Sequence, residues 1–464
     1  MAALAAAALL SGCAGRAAQE GFAEVSGAAR ARLGEKLELV WLRDEAEADA
    51  LKERTRQLLA EPLDAERAVQ VMLLNNRALQ GALAELGFAA ADMMESILPR
   101  GPGYSYKRDS GGGDVELERT VTFDLLGLLT LPVRAQVESD RYAGAKRRAA
   151  GRVIALAGET RRAYYQAIAA AQLARYLEDA TAAAEASAEL AARLAGVGNL
   201  PRLDAARARA FHLEAASGLA RARAAEVGAR ERLTRALSLW GPELAYTLPE
   251  RLPDLPAAAR QHDDIEALAV ANRADLKVAR AELEATARSL GLVRVTRLVS
   301  ALSLSLDRHR ETGEAPREGF EIDVSVPLFD FGEARVAKAE HLYMRAVHRL
   351  AETALNARSE VREAYLGYRT VYDVARRYRE EIVPLRRTIS EEVLLRYNGM
   401  LASVFELLAD AREQIAGVSA AIAATRDFWL AEIALEGAIH GLGSPPVAGL
   451  EPTAAPAAPA AAEH

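Results

Sequence analysis

"VPLFDFGEARVAKAE", residues 326–340, joins two kinds of chain with no spacer. Before it, Ile322, Val324 and Val326 alternate with Glu321, Asp323 and Ser325. That two-residue period belongs to a strand with two unlike faces. After it the chain is charged and alanine-rich, the composition of a long helix. A short amphipathic strand therefore feeds directly through Pro327 into helix.

The same plan occurs twice. "LLNNRALQGALAELG" (73–87) is echoed by "LAVANRADLKVARAELE" (268–284), with Asn76-Arg77 against Asn272-Arg273. Pro132 in "LTLPVRAQ" matches Pro327, Tyr164 matches Tyr365, and Asp204 matches Glu406, at offsets between 195 and 202. The order of the matches makes this a tandem duplication. Each copy is expected to hold a first helix (about 64–98 and 262–296), two strands, a long helix (about 133–196 and 329–398) and a return helix (about 201–239 and 403–440). Long helices of that size would each extend about 100 Å, too long for a compact globular domain. Val361, Tyr365, Tyr368 and Tyr372 follow coiled-coil spacing, and Pro384 should kink the second long helix. The expected divisions are 1–12, 13–60, a first repeat 61–240, a linker 241–261, a second repeat 262–441, and a Pro/Ala-rich disordered tail 442–464.

The strands divide their labour by face. Leu302, Leu304 and Leu306 alternate with Ser303, Ser305 and Asp307. Val115, Leu117, Val121 and Phe123 alternate with Glu116, Glu118, Thr120, Thr122 and Asp124. A soluble sheet over a core would alternate too. Yet each strand is near 10 residues, the length a transmembrane barrel strand needs, and four strands cannot close a membrane barrel. If these strands span a membrane, several chains must share one barrel, because open edges are forbidden in lipid.

Composition narrows the function classes. The chain has 464 residues and a formal charge of -7, with no basic block, which argues against nucleic acid. Its single cysteine, Cys13, excludes an intrachain disulfide and a cysteine-based metal cluster. "MAALAAAALLSGCAG" is an apolar run too short to span a bilayer and reads as a signal peptide over 1–12. Leu10-Ser11-Gly12-Cys13 resembles the bacterial lipobox, so Cys13 is the expected lipidation site, with an incidental thiol as the plainer reading. No Lys or Arg precedes the run, which leaves open a start upstream of Met1. Ala14, where an Asp would signal inner-membrane retention, favours the outer membrane.

The duplication, the lipobox and "VPLFDFGEARVAKAE" together resemble the TolC-like outer-membrane efflux protein family over residues 60–440. The resemblance implies a mainly α chain with a small β part: a long α-helical coiled-coil barrel plus four strands per chain. Three chains would complete a homotrimer with a twelve-strand transmembrane barrel set in outer-membrane lipid. It implies a lipid-anchored exit duct of a Gram-negative outer membrane, passing small molecules passively outward within a tripartite efflux or secretion system. The partners would be a periplasmic adaptor and an inner-membrane pump. The strand-to-helix exit would be Pro327, Leu328, Phe329, Asp330 and Gly332, with Pro132 at the matching exit. The adaptor-docking tip would comprise Gly196, Val197, Gly198, Asn199 and Leu200, with Asn398, Gly399, Met400 and Leu401. The first tip departs from the family's Gly-Leu-x-Ser wording. A resting gate would sit at Glu406, with Asp204 and Asp410 nearby; Ala409 replaces a second family acid, so one acidic ring is expected. Asp204 could instead hold the tip shut by pairing with a neighbouring helix. The plainer reading makes Glu406 and Asp204 helix-start carboxylates favoured by the dipole.

A different class remains open: a periplasmic coiled-coil lipoprotein with a structural or adaptor role and no pore. It would need no amphipathic strands. An enzyme is least supported, and neither cofactor nor metal is expected. His341 and His348 share a helical face without carboxylate partners or metal spacing, and "DSGGGD" (109–114) lacks the lysine of a phosphate loop and reads as a hairpin turn.

Overall fold

A computed structural model describes residues 13–42, 45–111 and 114–441. The expected signal peptide and Pro/Ala tail lie outside the described residues, as does the Cys13 side chain. The elements run α1 (Cys13–Leu33), α2 (Glu45–Leu59), α3 (Ala65–Asn75), α4 (Arg77–Ile97), β1 (Gly103–Gly111), β2 (Asp114–Asp124), α5 (Leu125–Gly196) and α6 (Arg202–Leu237). The second repeat follows as α7 (Ile265–Asn272), α8 (Ala274–Val295), β3 (Ala301–Glu311), β4 (Arg317–Ser325), α9 (Glu333–Arg377), a π turn (Tyr378–Ile382), α10 (Val383–Asn398) and α11 (Val404–His440). No helix among the described residues is long and apolar enough to cross a membrane.

The chain divides into two compact units, and each repeat contributes to both. One unit draws on residues 1–29, 81–151 and 274–356; the other on 30–80, 152–273 and 357–464. The first holds a four-stranded antiparallel sheet in the order β1-β2-β3-β4. The central pair β2·β3 joins the two repeats, and both outer strands have one unpaired edge. The expected hairpin at "DSGGGD" is present: Gly111 pairs with Asp114.

The second unit has a helical core. Phe428, fully buried, meets Tyr368, Tyr372 and Trp429 at ring-centroid distances of 5.6, 5.7 and 5.1 Å. The tyrosines of the expected seam do more than pack. They hold the linker between the repeats through their hydroxyls: Tyr368 accepts from the Arg260 amide (3.0 Å), Tyr365 from that of His262 (3.3 Å), and Tyr372 donates to the Pro256 carbonyl (3.1 Å). Trp429 donates to the Pro253 carbonyl at 3.1 Å. After a 3-10 turn at Gly241–Leu244, these side chains give partners to backbone groups of the extended part of the linker.

Two expectations are corrected. Each first helix, read as continuous, is broken: at Asn76 between α3 and α4, and at Arg273 between α7 and α8. Asn76 is buried; its amide donates to the Ala236 carbonyl at 2.8 Å and its oxygen accepts from the Leu79 amide at 3.0 Å. Arg273, equally buried, donates to the Ala438 carbonyl at 3.1 Å and pairs with Glu360 at 2.7 Å. Both breaks thus place a donor on the last turn of their own return helix, where carbonyls lack helical partners. The equivalent residues are Asn76 and Arg273, one place off the Asn76–Asn272 match. The second correction is Pro132. It does not mark the strand exit; it lies inside α5, the eighth residue of that helix. Asp124 ends β2 and at once caps the helix, accepting from the Gly127 amide at 2.8 Å. The helix therefore begins well before the proline and forfeits one bond there.

Candidate functional site

Three places carry the expected functional residues: the sheet faces, the β4 exit and the two helix-to-helix tips.

The register settles the faces. Phe123, Leu304 and Ile322 form one cross-strand row, Val121, Leu306 and Phe320 the next, and Leu302 pairs with Val324. On the other face Thr122, Ser305 and Glu321 share a row, as do Asp124, Ser303 and Asp323, and Glu118 lies across from His309. His309 Nε2 is 3.2 Å from Glu116. Exposure runs opposite to a soluble sheet. Phe320 is 72% exposed and Ile322 55%, while Ser305 is 6% exposed, its hydroxyl bonded to that of Thr122 at 3.0 Å. A contiguous exposed apolar face of this kind marks a surface made for something other than water.

The β4 exit is built by local chemistry. Phe331 donates to the Pro327 carbonyl (2.9 Å), Glu333 to the Asp330 carbonyl (2.8 Å), and the Gly332 amide to the Asp330 carboxylate (3.1 Å). Phe331 and Gly332 both take positive φ, 47° and 75°. A Cβ at Gly332 would lie 2.2 Å from the Arg297 carbonyl oxygen, which also accepts from Arg335 at 2.8 Å. Only glycine permits this approach. Leu328 and Phe329 are fully on the surface beside it.

The tips are two versions of one helix ending. After α5, Asn199 donates to the Leu194 carbonyl (2.8 Å) with Gly198 at φ 81°. After α10, Leu401 donates to the Arg396 carbonyl (2.8 Å) with Met400 at φ 59°. These are Schellman endings. The second places methionine, 94% exposed, where the first has glycine. Gly399 is not the left-handed residue. Val197 and Leu401 are exposed alongside.

Each expected gate acid has a partner within the chain. Ser403 and Glu406 form a capping box on α11: the Ser403 hydroxyl accepts from the Glu406 amide at 3.2 Å and Glu406 accepts from the Ser403 amide at 3.0 Å. The Ser-x-x-Glu spacing was readable in the sequence. Asp204 pairs with Arg207 at 3.3 Å, three residues on in its own helix rather than on the neighbouring helix expected, and Asp410 accepts from the Ser390 hydroxyl at 2.6 Å. Arg207, which sequence reasoning did not single out, also stacks over Phe405 at 5.0 Å, binding the start of α6 to that of α11.

The comparisons with known proteins agree with this geometry. Residues 266–439 match the model of the outer membrane efflux protein family. The match falls within the second of the two helix–strand–helix units. Among curated proteins none matches the sequence. In fold, the chain is similar to the Campylobacter jejuni CmeC outer membrane channel (TM-score 0.71, 16% identity, 82% of this chain and 86% of that one). It is similar as well to the Vibrio cholerae outer membrane protein VceC (TM-score 0.69, 15% identity, 81% and 95%). The open state of the Neisseria gonorrhoeae MtrE outer membrane channel also resembles it (TM-score 0.64, 16% identity, 82% and 89%). These likenesses cover 81–82% of the chain, so the shared fold extends beyond residues 266–439.

The two left-handed positions give predictions of opposite sign. Gly332→Ala, facing both positive φ and the Arg297 carbonyl, should lower stability by more than the usual ~1 kcal/mol of such a site. Met400→Gly should raise it by about 1 kcal/mol. Thermal melting of the two variants checks both; an unchanged melting point for Gly332→Ala would refute the tight approach.

Proposed function

We propose that this chain is one protomer of a trimeric outer-membrane channel, the passive exit duct of a tripartite efflux or secretion system. The observation that carries this reading is the sheet, with its apolar face exposed, its serine and threonine hydroxyls sheltered, and an open edge on either side. Three such sheets edge to edge make twelve strands without a free edge, the only form in which strands can stand in lipid. The apolar rows then meet acyl chains. The lumen receives Glu116, Glu118, Asp124, Asp307, Glu321 and Asp323, a lining that prefers cations. A non-pore coiled-coil lipoprotein gives no account of such a sheet.

In this reading the tips face the adaptor, with Val197, Leu200, Met400 and Leu401 as the apolar contacts, and the inner-membrane pump lies beyond it. Cys13 is the lipid anchor, accessory to the barrel because acyl chains and barrel add in membrane affinity. Glu406 forms a ring of three carboxylates by symmetry, a charge that would attract cations.

Reconstitution tests the channel directly: the purified protein should form trimers and conduct in planar bilayers. Leu304→Arg should cost about 2–4 kcal/mol of assembly near the bilayer midplane, and Ser303→Arg far less. Equal trimer yield from both would argue against a membrane barrel. For the anchor, labelled palmitate should enter the wild type and not Cys13→Ala; incorporation into the variant would refute the site. For the gate, Glu406→Gln is the decisive change, because glutamine keeps the capping box while removing the charge. Conductance or block by multivalent cations should change with the melting point held. If both electrical properties stay at wild type, Glu406 serves the helix alone.

A further inference from the structure

The sheet separates charge as well as polarity. On the face that carries the apolar rows, the strands end at the hairpin side in arginines. Tyr106, Arg119, Arg308 and Glu318 form one cross-strand row, and Arg108, Leu117 and Arg310 the next. Successive rows on one face are about 7 Å apart, so the arginines begin one row beyond Val121, Leu306 and Phe320. All four arginines are exposed. At the same level the opposite face carries Asp109, Glu116, Glu118 and Glu311, with Lys107, His309 and Arg317 among them, Lys107 paired with Asp109 at 2.7 Å and His309 3.2 Å from Glu116. On the arginine face only Glu318 offers a carboxylate in these rows; the others lie behind the sheet.

The arginines are poorly satisfied. Arg119 and Arg308 stand directly across from each other, an arrangement of like charges that destabilises a strand pair. Arg308 reaches Glu318 only at 3.6 Å, and Arg119 lies 6.0 Å from the Tyr106 ring centre. The Arg108 and Arg310 side chains make no ion pair or hydrogen bond among the described residues. The hairpin end is opposite the end from which the chain leaves for α5 and α9, so in a channel with periplasmic helices it lies in the outer leaflet.

Resting on that channel reading, we propose that Arg108, Arg119, Arg308 and Arg310 form a binding surface for the phosphate groups of outer-leaflet lipid. Acyl chains lie along the apolar rows below, and the guanidinium forks hold the headgroup phosphates above, where bidentate geometry suits them. The bound anions also relieve the Arg119–Arg308 repulsion.

The test uses the full-length protein in phosphatidylcholine vesicles containing diphosphorylated lipid A, or the same lipid A stripped of phosphate. The wild type should retain the phosphorylated form preferentially and melt higher with it. R108Q/R310Q should weaken that retention about fivefold for each arginine removed. In phosphate-free detergent the same variant should melt no lower than wild type, since neither arginine loses a partner. Lys107→Gln, on the opposite face, should leave retention unchanged. Equal retention of the two lipids overturns the proposal while the channel stands. Equal stabilisation by inorganic phosphate alone overturns it in favour of a soluble-anion site. Failure to insert into any vesicle overturns the channel reading and this one with it.

Discussion

The constraint on which the structure depends is the pair of open strand edges. β1 and β4 each offer one row of backbone donors and acceptors that no other strand among the described residues meets. In water such rows invite aggregation, and in hydrocarbon each unmet group costs several kcal/mol. An apolar outer face makes the cost larger, because it favours removal of the sheet from water. In the proposed channel, closure by further copies would satisfy edges and face together. Two hairpins per chain would let three chains supply twelve strands, and the β2·β3 pair holds both repeats to one register.

Duplication left the two copies to solve the same local problems with different chemistry. The break in the first helix is made by a buried amide at Asn76 and by a buried guanidinium at Arg273, each seeking a carbonyl at the end of its return helix. The tip is turned by Gly198 in one copy and by Met400 in the other. The first exit uses a single carboxylate cap at Asp124, whereas the second uses two consecutive left-handed residues and a glycine pressed on a carbonyl. What persists is the backbone demand at each point, and side chains of quite different character meet it.

This is also why some features were legible in the sequence and others were not. Strand faces, tips and the long helices follow from period-two and period-four patterns and from turn residues, which are local. The exit at residues 327–332 was legible because proline, Asp330 and Gly332 act within a few residues of one another. The helix breaks were not, because Asn76 and Arg273 break their helices for carbonyls some 160 positions away. Pro132 misled because a proline beside a strand reads as an exit, while the Asp124 cap that starts the helix earlier is an ordinary-looking residue. The tyrosine seam was recognised as packing, but the hydroxyls that hold the linker have no periodic signature.

The π turn at Tyr378–Ile382 follows from the same history. Tyr164 lies thirty-four residues before Gly198, and its match Tyr365 lies thirty-five before Met400. The second long helix thus holds one residue more than the first between equivalent points. An α-helix that took in one residue would rotate everything beyond it by about 100°, turning the α10 seam away from α11. A π turn widens a single turn to contain the extra residue and leaves the faces on both sides in phase. Val383 accordingly donates to the Tyr378 carbonyl, five residues back. Pro384 sits immediately after, where the widened turn has already given up regular bonding and a missing amide costs least. The kink expected from Pro384 alone is better understood as an insertion with a proline placed to tolerate it. It confines the extra residue between Tyr365 and Met400 to one turn, so that Ser390 still reaches Asp410 and the second tip closes as the first does.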